Sequence, residues 1–273
     1  MKKLTQQYTS LKYLALIVFA FLSASCEEVI EIDLNSASPK LVAEGLIEKD
    51  SVAWIRLSYT TDYFATDQTT YAEDATVVLY DQSGRSEKLN YYGDGLYKGE
   101  ILKGKVNEDY RISVEESGST YQAATRLMAP SKIYSVSFEE QEAKRPGETT
   151  SNYELTINFS DDPETDNYYL IKFWINDTLY ADNYIYLKDS YYTTDKVVEY
   201  SPFRIEFEQN DRVFVKLYSI DEDSYTYFNQ LNDISGSEMG GSSTPYNPQS
   251  NFGSDVLGYF MATSHDSISV IVR

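Results

Sequence analysis

At 273 residues the chain is long enough for one large domain or two ordinary ones, each with its own core. It sets 43 Asp and Glu against 23 Lys and Arg, a formal net charge of −20 that repels phosphate backbones and excludes nucleic acid as an expected partner. One Cys and one His exclude an internal disulfide and a four-ligand Cys/His zinc site, while 26 Tyr favour strands, where aromatic rings pack well on a pleated surface.

Residues 1 to 12 carry Lys2, Lys3 and Lys12 and no acid, and Tyr13 to Leu22 is an uncharged apolar run of ten. These are the charged and apolar regions of a signal peptide over residues 1–25, because ten residues fall short of the roughly 20 that a spanning helix needs. The run closes on Ser23-Ala24-Ser25-Cys26, which resembles a bacterial lipobox with Ser23 in the place of the usual aliphatic residue. Cleavage there makes Cys26 the new N-terminus and the site of lipidation. Each buried CH₂ of an acyl chain such as palmitate contributes roughly 0.8 kcal/mol, so a multiply acylated Cys26 holds the protein on a membrane. Loss of the signal removes three Lys and no acid and leaves a net charge of −23. The grip on an anionic bilayer therefore comes from lipid and not from charge. Glu27 and Glu28, directly behind that Cys, resemble the signal that sends Bacteroidota lipoproteins to the outer face of the outer membrane; the plainer reading is two Glu in an acidic protein.

Along the mature chain, period-2 alternation marks strand after strand. Ala53, Ile55, Leu57 and Tyr59 alternate with polar or amphipathic neighbours, as do Tyr110, Ile112 and Val114. Tyr134, Val136 and Phe138 repeat the pattern, followed by Tyr153, Leu155, Ile157 and Phe159. Phe203, Ile205 and Phe207, then Val213, Val215 and Leu217, and finally Ile268, Val270 and Val272 complete it. Turn residues at Asp81 to Gly84, Gly93 to Gly95, Asn107 to Asp109 and Gly118 separate the runs. Such spacing predicts an all-β protein built as sandwiches or barrels. A domain change is placed at Pro130, dividing residues 26–130 from 131–273, with the polar stretch Glu139 to Asn152 as a hairpin loop inside the second part. Residues 221–234 break the strand rule. Tyr225, Phe228 and Leu231 fall at i, i+3 and i+6 behind Asp221, a cap, and Glu222 and Asp223, which suit a helix N-terminus. They predict one short amphipathic helix lying on a sheet, its aromatic stripe facing the core.

The Gly-, Ser- and Pro-rich loop at 235–254 is the first candidate for partner contact, with Met239, Tyr246, Asn247 and Phe252 as its large or amide-bearing side chains; the plain alternative is a surface loop. His265 lies between Ser264 and Asp266, but neighbours on a strand point to opposite faces, so the three cannot converge as a triad. The expectation there is a solvated His at a strand end. Asp161, Asp162, Glu164 and Asp166 set carboxylates in a short connection between strands, a pattern a calcium ion could use, although the spacing is not that of an EF-hand loop and the composition suits an ordinary turn. No Gly-rich phosphate loop follows a strand and opens a helix, and no cofactor is expected. Tyr pairs such as Tyr91-Tyr92 and Tyr168-Tyr169 are expected to split, one ring to the core and one outward.

Cys26 to Ile32, Pro39 to Ile47, Ala75 to Tyr80 and Asp94 to Val114 with Tyr121, taken in order, resemble the opening of a Bacteroidota lipoprotein family catalogued as a domain of unknown function, the 4249 family. Asp162-Pro163 with Asn167 to Tyr169, Val215 to Phe228 and Gly253 to Phe260 continue the resemblance through the second half. The family implies an immunoglobulin-like N-terminal β-domain and a C-terminal β-domain on an outer-membrane lipid anchor. It also implies a partner, since these lipoproteins accompany TonB-dependent transporters, and it brings no catalytic residues. The expected function is that of a non-enzymatic surface lipoprotein, an accessory or substrate-binding partner of such a transporter. A freestanding glycan- or peptide-binding lipoprotein and a periplasm-facing structural lipoprotein are the alternatives.

Overall fold

A computed structural model describes residues 38–61, 69–141, 152–180, 185–188, 196–202, 205, 207–235 and 246–273. In chain order the first half holds β1 (Leu41–Glu48), β2 (Val52–Tyr59), β3 (Thr76–Asp81), β4 (Ser86–Lys88), β5 (Asn90–Tyr91), β6 (Leu96–Lys103), β7 (Asp109–Glu116) and β8 (Ser119–Arg126). The second holds β9 (Ile133–Gln141), β10 (Asn152–Ser160), β11 (Tyr168–Ile175), β12 (Thr178–Leu179), β13 (Ile185–Lys188), β14 (Val197–Tyr200), β15 (Arg212–Ile220), α1 (Glu222–Ser235) and β16 (Val256–Ile271). Among the described residues the fold is all-β with one short helix, as the alternation predicts.

One central sheet runs in the order β12-β11-β15-β16-β1-β2-β6-β5, with β13 also paired to β11. Two smaller sheets, β4-β3-β7-β8 and β14-β10-β9, form a second layer. The first core fills the space between β4-β3-β7-β8 and the β1-β2-β6 part of the central sheet, with Ile55, Leu57, Val77, Leu79, Ile112 and Val114 fully buried. The second core, under β10 and over β11 and β15, contains Leu155, Ile157, Phe159, Phe207, Val213 and Leu217, also fully buried. Each such side chain contributes roughly 1.5–3 kcal/mol by leaving water.

The strand that joins the two cores is β16. Its 16 residues span about 50 Å at ~3.3 Å per residue. Its first half pairs in parallel with β1, from Leu41↔Val256 to Glu48↔Thr263, and its second half pairs antiparallel with β15, from Ser219↔Ser264 to Arg212↔Ile271. Val256, Phe260 and Ala262 sit in the first core, and Val272 sits in the second, with Ile268 and Val270 packed against it. All are even-numbered, so one face of β16, continued one residue past its end to Val272, serves both cores without a change of phase. Where β16 meets β1, Gly258 has φ +95° and a Cβ there would lie 2.1 Å from the Ala43 carbonyl oxygen, so only glycine fits.

The helix forms where Asp221 caps it: Asp221 Oδ1 accepts from the Ser224 amide at 3.0 Å, and Glu222 and Asp223 occupy the first turn. Tyr225 packs tilted against Tyr168 at 5.1 Å and Phe228 packs edge-to-face against Tyr259 at 4.6 Å between ring centroids, so the stripe packs on the outer face of the central sheet, while Leu231 is 39% exposed. Asp221 Oδ2 also accepts from Thr125 Oγ1 at 2.6 Å, tying the cap to β8.

Two local expectations change. Tyr134 is 55% exposed and not inward-facing, because the β9–β10 register steps from Ser135↔Asn158 to Ile133↔Phe159 and bulges it out. Neither Tyr pair splits: Tyr91 and Tyr92 are both exposed, at 40% and 56%, and Tyr168 and Tyr169 are both buried, since α1 covers one face of β11 and the second core the other.

A second bulge is plugged by a carboxylate. Between Val52↔Lys103 and Trp54↔Lys98, β2 advances two residues while β6 advances five. The amides released from the ladder go to Glu87 of β4, 8% exposed: Glu100 and Ile101 donate to Oε1 at 2.5 and 2.9 Å, and Leu102 donates to Oε2 at 2.7 Å. The turn that precedes β4 is held in a similar way. Asp81 Oδ1 accepts from the Ser83 amide, the Ser83 hydroxyl and the Arg85 amide, and its Oδ2 faces the Arg85 guanidinium.

Candidate functional site

The segment from Leu127 to Lys132 carries the chain from β8 to β9, and so from one second-layer sheet to the other. Where it crosses, a cleft of about 350 Å³ opens between them. One wall is Asn107 and Arg126 of the first half; the other is Ser160 to Asp162, Thr165 and Asn167 of the β10–β11 turn, with Tyr168 and Tyr169 at the start of β11. The linker is pinned to the central sheet, since Ser131 donates its amide to Ser219 Oγ at 3.1 Å and Ser264 Oγ donates to the Met128 carbonyl at 2.8 Å. Tyr169 Oη donates to Asp161 Oδ1 at 2.6 Å and accepts from Ser131 Oγ at 3.3 Å. Arg126 pairs with Asp109 at 2.8 Å. Hydroxyl, amide, carboxylate and guanidinium groups thus line a concave notch, a surface suited to hydrogen-bonding a small polar ligand or a segment of another chain.

The acid-rich turn forms part of that wall. Asp162 Oδ1 accepts from the Glu164 amide at 3.1 Å, and Asn167 Nδ2 donates to Asp161 Oδ1 and to the carbonyls of Asp162 and Thr165. Asp161 and Asp162 face the cleft while Glu164 and Asp166 point to solvent, so the four carboxylates are not gathered around one point. Among the described residues, no group of three or more His, Cys, Asp or Glu could hold a metal ion. Asn167 closes the turn with its side chain instead.

The remaining candidates separate. Cys26, Glu27, Glu28 and Met239 lie outside the described residues. Tyr246, 45% exposed, and Asn247 are on the surface, and the adjacent backbone is tied to α1 where the Gln249 amide donates to Gln230 Oε1 at 2.7 Å. Phe252 is not a contact residue: it is 8% exposed in the first core, where it replaces surface with packing. Next to it Asn251 takes the Phe260 amide and donates to the Phe260 and Ala124 carbonyls, doing for β16 and β8 what a neighbouring strand would do. His265 lies in the middle of β16, not at a strand end. Ser264 and Asp266 point inward, Asp266 to the Ile133 amide at 2.9 Å, while His265 sits on the opposite face 3.7 Å from Glu48. Burial, then the charge of Lys216, hold its pKa below the usual value despite Glu48.

The cleft drew no sequence signal as a whole, because its walls are about 35 or more residues apart along the chain. Only the Asp161 to Asn167 turn was legible. Among the described residues, no helix is long and apolar enough to cross a membrane.

The family profile described as Domain of unknown function (DUF4249) matches residues 27–269. No curated protein matches the chain. Among solved structures, α-L-rhamnosidase from Dictyoglumus thermophilum is similar over 68% of this chain and 28% of that chain, at 12% identity and a TM-score of 0.27. The chain therefore spans less than a third of that enzyme's length.

Proposed function

Because the chain belongs to the DUF4249 family, we propose that it is a surface lipoprotein of the outer membrane that works beside a TonB-dependent transporter, as a non-enzymatic accessory or substrate-binding partner. The observation that carries this reading is where the family match starts: residue 27, directly behind Cys26, so that the basic and apolar leader stands outside the matched domain. That is the boundary a lipoprotein cut before Cys26 would have. The 15 residues from Cys26 to Lys40, which precede β1, span at most about 50 Å when extended, which bounds how far the β-body can stand from the lipid.

Extraction of cells expressing both proteins in mild detergent tests the partnership. Co-purification of an outer-membrane transporter with the chain is expected; recovery of the chain alone overturns it. Cys26→Ala should release the protein from the membrane fraction, and protease treatment of intact cells should remove the wild-type protein from the surface. Glu27→Ala with Glu28→Ala should move it inward if the pair is the export signal.

A freestanding ligand-binding role is favoured by one observation, the 350 Å³ cleft with its hydroxyl and carboxylate lining. Saturable binding of a glycan or peptide by the purified chain, without a transporter, would establish it.

A further inference from the structure

The β12 end of the central sheet carries an aromatic pair on the face away from both cores. Val213 and Val215 of β15 are buried in the second core, so Phe214 between them points the other way. The registers place Leu179, Trp174, Phe214 and Ser269 in one row across β12, β11, β15 and β16. Trp174 and Phe214, both half-buried, pack tilted at 5.3 Å between ring centroids. With Ser269, Asp177 and Arg212 they line a cavity of about 270 Å³.

The polar side of this cavity is set by a hairpin turn. Two residues, Asn176 and Asp177, join β11 to β12, and both have positive φ, +50° and +67°, as a type I′ turn requires. Glycine is the favoured residue at the second of these positions, so Asp177 holds its conformation at a cost, and backbone held in this way concentrates at ligand sites. Asn176 fixes the turn to β15: its amide donates to the Arg212 carbonyl at 2.9 Å, its Oδ1 accepts from the Arg212 amide at 3.0 Å and its Nδ2 donates to Asp211 Oδ1 at 2.7 Å. The Asp177 carboxylate is thereby set against the Arg212 guanidinium as an ion pair, with both side chains more than half exposed.

The chemistry of the lining selects the guest. Asp177 opposes an anion and Arg212 opposes a cation, and since the two charges offset each other the cavity favours a neutral molecule. A carboxylate, a guanidinium and a hydroxyl side by side offer acceptors and donors to a guest rich in hydroxyl groups. The negative faces of Trp174 and Phe214 attract C–H groups that carry partial positive charge. A pyranose ring meets all three conditions, since hydroxyls project around its edge and C–H bonds from its face. The cavity, about 270 Å³, lies just below the usual ~300–1,000 Å³ of small-molecule pockets, which suits one ring of a sugar chain and not a drug-sized ligand.

We propose that this cavity is a binding site for a neutral saccharide, one ring of which packs against Trp174 and Phe214 while its hydroxyls donate to Asp177 and accept from Arg212. It shares no lining residue with the cleft beside the β8–β9 linker. Such a site is independent of the lipid anchor and of any transporter, so its failure leaves the proposed partnership standing, and the reverse.

The test titrates the full chain by calorimetry, in a detergent without a sugar headgroup, with cellotetraose, xylotetraose, mannotetraose, galactotetraose and maltotetraose. Choline, trigalacturonate and uncharged N-acetyl-tetraalanine amide serve as the cationic, anionic and peptide probes. Trp54→Phe leaves Trp174 as the reporter of fluorescence, since the chain has two Trp. At least one neutral sugar is expected to bind with a Kd below about 1 mM, to change Trp174 emission and to keep its affinity as salt is raised, because a neutral ligand has no charge to screen. Trp174→Ala should weaken that sugar at least about tenfold. Asp177→Gly should also weaken it about tenfold, the size of one charge-assisted hydrogen bond. It should nevertheless keep or raise the unfolding temperature, because Asn-Gly is the favoured turn and an exposed ion pair contributes little. A purely structural Asp177 would not lower affinity in a protein of undiminished stability. Failure of every sugar to bind folded protein, equal or tighter binding of choline, trigalacturonate or the peptide, or a sugar affinity unchanged in Trp174→Ala or in Asp177→Gly overturns the proposal.

Discussion

Replacing Glu87 by Ala removes the plug of the β6 bulge. Glu87 is 8% exposed and its two carboxylate oxygens take three backbone amides, those of Glu100, Ile101 and Leu102, at 2.5 to 2.9 Å. A hydrogen bond to a charged group contributes roughly 1.5–3 kcal/mol, and a buried amide left without a partner costs about 1–3 kcal/mol. The gross loss of three such bonds is offset in part because a buried charge no longer has to be kept out of water. Water reaching the bulge, where the Ile101 side chain is already 77% exposed, offsets a further share. The expected net cost is about 3–5 kcal/mol for Glu87→Ala. Glu87→Gln keeps one acceptor oxygen for Glu100 and Ile101 but turns a donor toward the Leu102 amide, so it should cost about half as much. Urea denaturation followed by circular dichroism measures both, and amide exchange should quicken at Ile101 and Leu102 before it does in β7. A loss below about 1 kcal/mol for Glu87→Ala, or unchanged exchange at those amides, would show that the bulge does not depend on the carboxylate.

Other substitutions probe other links. Gly258→Ala places a Cβ 2.1 Å from the Ala43 carbonyl oxygen at φ +95°, which should cost more than about 3 kcal/mol and lower the melting temperature by ten degrees or so, since the parallel β1–β16 pairing must open. Asp221→Ala loses both the helix cap and the bond from Thr125, and about 2–3 kcal/mol is expected, read as loss of helical signal in circular dichroism together with earlier unfolding. Asp81 carries a pH dependence: burial pushes its pKa up, but the bonds from Ser83 and Arg85 and the charge of Arg85 outweigh it, so the folded value lies below the ordinary 3.8. A depressed carboxylate contributes stability that is present above the unfolded pKa and is lost as pH falls through the folded one. Asp81→Asn should therefore cost most near neutral pH and least in acid below the folded pKa; a penalty independent of pH in urea titrations refutes the assignment. Tyr169→Phe should loosen the β10–β11 wall of the cleft, visible as faster amide exchange at Asp161 and Asn167, because it deletes the 2.6 Å bond to Asp161.

The sequence by itself determined whatever depends on near neighbours in the chain. Period-2 alternation placed β2, β7, β10 and β15 because each strand's own side chains decide which face is apolar, and Asp221 announced the helix because a cap acts within three residues of itself. Tertiary structure decided what depends on register between distant segments. That β16 returns to pair in parallel with β1 joins positions more than 200 residues apart, and that pairing is what buries Phe260 in the first core. Phe252 looked like a loop aromatic and is core; Glu87 looked like one acid among 43 and holds three amides of another strand. Lys172 and Lys216 were separated by 44 positions and became cross-strand neighbours only through the β11–β15 register. A strand's pattern says which way each side chain faces. It does not say which strand lies beside it, because pairing energy is a sum over contacts between both partners, and a single chain segment carries only half of that sum.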